Sequence, residues 1–420
     1  MIWNWVTYLV LISIVCQSVL HAISIYLNLS CFTASVPAEF THTYDKDAYA
    51  RSQRYTKAKS SYQLIASTYS TVVFLVLWFT RTFNNVDIWL RSFHFHPTIT
   101  GVFYMFAFFG ISFLTNLPLS VYSTFVLEGK FGFNKTTVKT YILDQIKTIV
   151  LSIALGSPLL AIILLFLERF GPSAWVFCWI TVSLFSLLMF FIAPKYLLPL
   201  FNKLTQLEDA GLQSKIKQLA DRIQFSFSAI FVIDGSKRSN HSNAFFAGIG
   251  STKRIVLFDT LLSKQSSDEI IAILGHEMGH YKLGHVYSNL ILSIVNFLGL
   301  FYAMKLFISN DALFKAFLLE KNSYYAGLLF FSQVLSPIAF FVELIVTAIS
   351  RYNEYQADKF AVECIENPED LVSGLKKLSL DNLSNLTPHW LIVFLTYTHP
   401  PVLKRIEAIR EHAKQKSKKD

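Results

Sequence analysis

Residues 174–192 read AWVFCWITVSLFSLLMFFI, without a single charged side chain. At 1.5 Å per residue a helix of this length rises about 28 Å, close to the roughly 30 Å of a bilayer's hydrocarbon core. The apolar residues cover every face of such a helix, so it cannot be an amphipathic helix resting on a soluble core. Working outward, comparable stretches lie near 3–28, 64–90, 99–127, 148–167, 286–308 and 325–349, and this one continues to about 198. Seven membrane spans are therefore expected. The second is the least clean, because Arg81 and Asp87 fall in its last third and must snorkel, pair or line a cavity. The first is read as a retained span: Met1–Thr7 has no Lys or Arg, and the apolar run reaches about Leu29, too far for a signal peptide.

Composition agrees. Of 420 residues 53% are hydrophobic and 15% charged, against about 25% charged in an ordinary soluble domain. The net charge of +9 does not indicate nucleic acid, since the basic residues lie between apolar runs and in the tail Lys414–Lys419. They bias the loops instead. Lys46, Arg51, Arg54, Lys57 and Lys59 follow the first span, and Lys130, Lys135, Lys139 and Lys147 follow the third. The opposite loops hold Arg91, Arg169, Lys315 and Lys321. The positive-inside rule puts the basic loops, residues 199–285 and the C-terminus in the cytoplasm. Cys16, Cys31, Cys178 and Cys364 show no paired spacing and are expected as free thiols, three of them in or beside apolar runs.

Four regions follow: spans 1–5 with their loops (1–199), a soluble segment (200–285), two further spans (286–349) and a helical C-terminal segment (350–420). In the soluble segment Glu208–Gln224 has a helical pattern. Ala229–Ile233, ending at Asp234-Gly235, then Ala244–Gly248 and Arg254–Phe258 read as two or three strands, with a turn at residues 250–253. Ser267 or Asp268 caps the next helix.

That helix carries His276-Glu277-Met278-Gly279-His280. His276 and His280 stand one turn apart on one face and can share one tetrahedral zinc. Glu277 is placed to take a proton from the attacking water. Ile271, Leu274 and Met278 bury the other face. A catalytic zinc needs a third protein ligand. His285 is one residue out of phase with the elongated three-histidine motif. The better candidate is Glu354, with Asp358 one turn later to accept a hydrogen bond from a ligand histidine.

The pair of motifs, His276–His280 and Glu354-Tyr355-Gln356-Ala357-Asp358, resembles the integral-membrane CAAX prenyl protease 1 family. Leu117-Pro118, Phe131-Gly132-Phe133-Asn134-Lys135, Asp234-Gly235-Ser236, His241-Ser242-Asn243-Ala244 and His399-Pro400-Pro401 with Arg405 extend the match. The resemblance implies an all-α membrane protein with a small β-sheet, its helices forming a chambered barrel with a zincin-like catalytic domain on the cytoplasmic side. It implies one Zn2+ per chain, and main-chain binding of substrate by Asn243, Ala244, Phe245, Phe246 and Gly248. Phe245 departs from the family's frequent tyrosine. It also places His399 and Arg405 near the active site, His399 as a catalytic donor to the substrate carbonyl and Arg405 against substrate. By spacing alone His399 would begin a helix and Arg405 would be a surface or ion-pair residue. In the same plain reading Asn134 caps a helix.

The expected partners are peptide or protein substrates with extended C-terminal segments, and membrane lipids; neither nucleic acid nor an oligomer is required. The function implied is hydrolysis near the C-terminus of CaaX-type proteins. Its rivals are a quality-control metalloprotease without prenyl specificity and a non-catalytic membrane scaffold. No Asn-Pro-Asp-Gly-like motif of intramembrane site-2-type proteases occurs. The short chain favours a bacterial cytoplasmic membrane, with the endoplasmic reticulum as the alternative.

Overall fold

The computed structural model describes residues 3–248 and 253–418. Residues 250–252 of the expected turn lie outside them. Long helices dominate: α1 (Trp5–Ser30), α2 (Lys46–Phe79), α3 (Pro97–Val121), α4 (Val138–Phe170) and α5 (Ala174–Ile192) come first. Six segments among the described residues are long and apolar enough to cross a membrane, and the fourth runs Val138–Phe201 over 64 residues. It breaks at Gly171, whose φ of +48° suits a residue without Cβ. The sequence expectation of seven counts the two sides of that break separately. The outward faces bear Val15, Leu114, Ile153, Leu184, Ile291 and Phe341, all exposed, as a lipid solvent allows.

The second apolar run does not extend to residue 90. It ends at Phe79, Arg81 adopts a left-handed conformation, and a separate short helix covers Thr82–Arg91. Asp87, only 1% exposed, is paired there with Arg91 at 2.8 Å and accepts a hydrogen bond from Tyr325 Oη. The charges are affordable because each has a partner. Of the cysteines, Cys178 is buried, Cys31 and Cys364 are half-buried and Cys16 is exposed, so burial is not general.

The chain then forms β1 (Leu204–Gln206), α6 (Ala210–Arg222), β2 (Ala229–Ile233), β3 (Ala244–Ala247) and β4 (Arg254–Phe258). Among the described residues the sheet has four strands in the order β1-β2-β4-β3, one more than the two or three expected. β2 and β4 are parallel; the two outer pairs are antiparallel. β3 is therefore an edge strand.

Next come α7 (Ser267–Lys282), α8 (His285–Phe307), α9 (Tyr324–Cys364), α10 (Pro368–Asp381) and α11 (Val402–Lys416). The cap of α7 is Ser266, not Ser267 or Asp268. Its side chain accepts from Glu269 N while Glu269 accepts from Ser266 N, a reciprocal capping box. Ile270, Ile273, Leu274 and Met278 recur at helical spacing and pack with Ile216, Ile255, Leu257 and Leu261 between α7, α6 and the sheet. Thr137, not Asn134, caps α4; Asn134 Oδ1 accepts from Thr136 N in a local turn.

The placement of α9 matters most. Its 41 residues pass without a break from the apolar stretch into the polar one, so the boundary expected near residue 350 falls inside a single helix. A helix this long spans about 60 Å, twice the hydrocarbon thickness. Glu354 and Asp358 ride on the rigid extension of a spanning segment.

Candidate active site

Two helices bring the site together. α7 meets α9 at Gly275 and Gly279. A Cβ at Gly279 would lie 3.2 Å from the Phe360 ring and 3.3 Å from the backbone of Ala357. These glycines, each directly preceding or following a motif residue, let the helix axes approach until Glu354 faces both histidines.

The Nε2 atoms of His276 and His280 stand 3.2 Å apart. Glu354 Oε1 is 3.3 Å from His280 Nε2, and Glu354 Oε2 is 3.5 Å from His276 Nε2. Nitrogens held about 2.0–2.1 Å from a tetrahedral zinc would be roughly 3.3 Å apart. The three side chains thus present their donor atoms at the edges of a coordination tetrahedron. Glu354 Oε2 is also buried without a hydrogen-bond partner. Its nearest partners are Arg405 Nη1 at 3.4 Å and His276 Nε2 at 3.5 Å, and a cation between the three ligand side chains would satisfy it at coordination distance. The donor set fits a divalent metal.

An outer layer fixes these groups. His276 Nδ1 is 2.8 Å from Asp358 Oδ1, which is fully buried. Arg405 donates to both Asp358 oxygens, from Nη2 at 2.7 Å and Nε at 2.8 Å, and its Nη1 lies 3.4 Å from Glu354 Oε2. This guanidinium is buried against the two acids on α9 and also lines the cleft. His280 Nδ1 lies 3.0 Å from His285 Nδ1, so His285 is a neighbour of a ligand candidate rather than a member of the triad.

Glu277 and His399 open onto the cleft, a cavity of about 380 Å³ that is also lined by Asn243, Ala244, Glu354 and Arg405. Burial pushes the Glu277 carboxyl above its usual range. His399 Nε2 is 3.4 Å from Glu354 Oε1, and its side chain is 63% exposed. It reaches the cleft because Arg351 Nη1 donates to the carbonyls of Val393 and Tyr397, at 3.1 and 2.7 Å, holding the segment that precedes it. Sequence reasoning missed Arg351, although it lies one turn before Glu354.

β3 borders the same cleft. Its register with β4, Ala244↔Leu257 to Ala247↔Arg254, and the bond from Phe258 N to Asn243 O direct Asn243, Phe245 and Ala247 toward β4. The main chain of Ala244 and Phe246 therefore faces the open edge. Asn243 Oδ1 accepts from Ala244 N at 2.9 Å. The ring of Phe245 packs on Phe258, and that of Phe246 on Phe225 and Tyr281; neither ring lines the cleft. Tyr281 Oη donates to Gly248 O at 3.1 Å, tying the strand's end to α7.

Comparison with known proteins follows this division. Residues 25–203 match the sequence model described as CAAX prenyl protease N-terminal, five membrane helices, and residues 206–413 match Peptidase family M48. CAAX prenyl protease 1 of Saccharomyces cerevisiae is 34% identical over 89% of this chain and 88% of its own length. The Arabidopsis thaliana homologue is 40% identical over 70% of each chain, and the human homologue 32% over 90% of this chain and 89% of its own. These relatives are eukaryotic and lend the expected bacterial origin no support. The crystal structure of S. mikatae Ste24p superposes with a TM-score of 0.92 at 31% identity, covering 97% of this chain and all of that one. A metal-ready triad on two packed helices, long apolar segments and this similarity along the length have one reading: the chain belongs to peptidase family M48, as a multi-pass membrane metalloendopeptidase related to the CAAX prenyl proteases.

Proposed function

We propose that the protein is a zinc endopeptidase that cleaves near the C-terminus of CaaX-type proteins at the cytoplasmic face of a membrane, for which the eukaryotic relatives favour the endoplasmic reticulum. The observation carrying this is the convergence of His276, His280 and Glu354 beside an unpaired strand edge. His276, His280 and Glu354 would hold one zinc, with Asp358 and Arg405 orienting His276 and Glu354. When bound, the ion supplies Lewis-acid polarisation of the scissile carbonyl and acidifies the attacking water.

The protein's own groups do the rest. The main chain of Ala244 and Phe246, on the side of β3 turned away from β4, pairs with an extended substrate as an added strand, which fixes the scissile carbonyl relative to α7. Asn243 sits at the strand's entrance and Gly248 at its far end. Glu277, with its carboxyl raised by burial, accepts the proton of the attacking water and returns it to the leaving amine. His399 donates a hydrogen bond to the carbonyl oxygen as negative charge develops there.

The test is chelator-sensitive hydrolysis by the purified protein of matched farnesylated and unmodified CaaX peptides. Cleavage of the farnesylated peptide alone supports prenyl-protein processing. Equal cleavage indicates a broader membrane endopeptidase, and cleavage of neither by zinc-loaded protein refutes the substrate class.

A further inference from the structure

Beyond Asn243 the cleft opens into a second cavity of about 800 Å³. Eight lining residues are common to both, among them Ser242, Asn243, Asn382 and His399. Its far wall is α2, which contributes Tyr55, Thr56, Lys59, Ser60 and Gln63. Their spacing of i, i+1, i+4, i+5 and i+8 puts them on one face of the helix.

The charge of this cavity is one-sided. Among the 23 lining residues there is no Asp or Glu, one Lys and two His. Lys59 makes no ion pair within 4.0 Å among the described residues; its Nζ lies 5.7 Å from the Tyr55 ring centroid. Glu128, on the neighbouring helical segment, is not part of the wall. Its Oε1 accepts from Tyr55 Oη at 2.8 Å, and its Oε2 is 3.6 Å from His241 Nε2. The lining thus offers a cation, hydroxyls and amides and no carboxylate of its own, while Glu128 behind it holds the Tyr55 hydroxyl and lies within electrostatic reach of Lys59.

We propose that this cavity is the subsite for the free C-terminal carboxylate of the substrate, with Lys59 as its cation. The proposal rests on the peptidase reading above and specifies which end of the peptide points where. A strand added antiparallel to β3, the more stable pairing, runs with its C-terminal side toward Asn243 and leaves the cleft here. A Lys-bearing cavity without acids accepts that terminus and disfavours an amino terminus. Three extended residues span roughly 10 Å, so the subsite would restrict cleavage to a short distance from the chain end.

The experiment uses the full-length zinc-loaded protein and two farnesylated peptides differing only in a terminal carboxylate or carboxamide. Wild type should cleave the acid about tenfold more efficiently, the scale of a hydrogen-bonded charge contact, with the difference mainly in KM. In Lys59→Met the ratio of the two kcat/KM values should fall to about one, and in Lys59→Arg it should persist. Because the ratio is taken within each variant, a general folding defect cancels. Equal cleavage of acid and amide by wild type would overturn the subsite alone. So would an unchanged ratio in Lys59→Met, even where that variant loses stimulation by anionic lipid, which would reassign the cavity to a lipid headgroup. Cleavage of neither peptide by zinc-loaded wild type would refute the CaaX substrate class proposed above and this proposal together.

Discussion

Asp358 stands at the centre of the site without facing the cleft. It is fully buried, accepts two hydrogen bonds from Arg405 and lies 2.8 Å from His276 Nδ1. That contact fixes the imidazole with Nδ1 protonated and Nε2 free as a donor to a metal. Asp358→Asn keeps the shape but can present its amide N–H to Nδ1 and favour the wrong tautomer. We expect zinc affinity to fall about 10–100-fold, read by chelator competition, with the fold retained by circular dichroism. Glu277→Gln separates the two roles in the other direction. It should bind zinc as wild type does and lose at least about a hundredfold in kcat, the usual contribution of a positioned general base. Full activity in that variant would end the assignment.

At the scale of elements, the contact of α7 with α9 decides whether there is a site. Gly279→Ala places a methyl 3.2–3.3 Å from Phe360 and the Ala357 backbone, and only the ring can yield. The helices should separate by a few tenths of an ångström, with a loss of about 1–3 kcal/mol of stability, as for other overpacked contacts. Zinc affinity should fall with it; a variant whose melting temperature and zinc affinity both match wild type would show that the contact is not limiting. His276, Glu277 and His280 were legible in the sequence because their geometry is local, one turn of one helix. Glu354 and Asp358 share that local spacing, but assigning them needed the metal's requirement for a third ligand and a family resemblance. β1 was not legible: three residues, two of them exposed, carry no alternating pattern. Arg351 and Tyr281 were illegible for a different reason, since their partners are set by tertiary packing.

For the whole molecule, the apolar runs revealed the membrane and the number of helices to within the break at Gly171, while charge supplied the expected sidedness. On that expectation the extension of α2, the sheet and α11 share the cytoplasmic side. In sealed vesicles with the cytoplasmic face outward, added protease should remove an epitope placed after Lys416; protection of that epitope would invert the orientation.

The unbroken α9 makes the bilayer a mechanical input to the metal site. Pro337 lies within the helix, removes one intrahelical hydrogen bond and is a natural pivot. From Pro337 to Glu354 the axis is about 25 Å long, so a swing of roughly 5° carries the carboxylate about 2 Å. Metal sites tolerate errors of only about 0.2 Å. Spanning helices tilt to match the thickness of their membrane, and here that tilt is levered onto a ligand. Zinc affinity in vesicles of graded acyl-chain length should therefore peak at one thickness and fall on either side. A flat response would mean that α7 and Arg405 grip the end of the lever firmly enough to isolate it from the lipid.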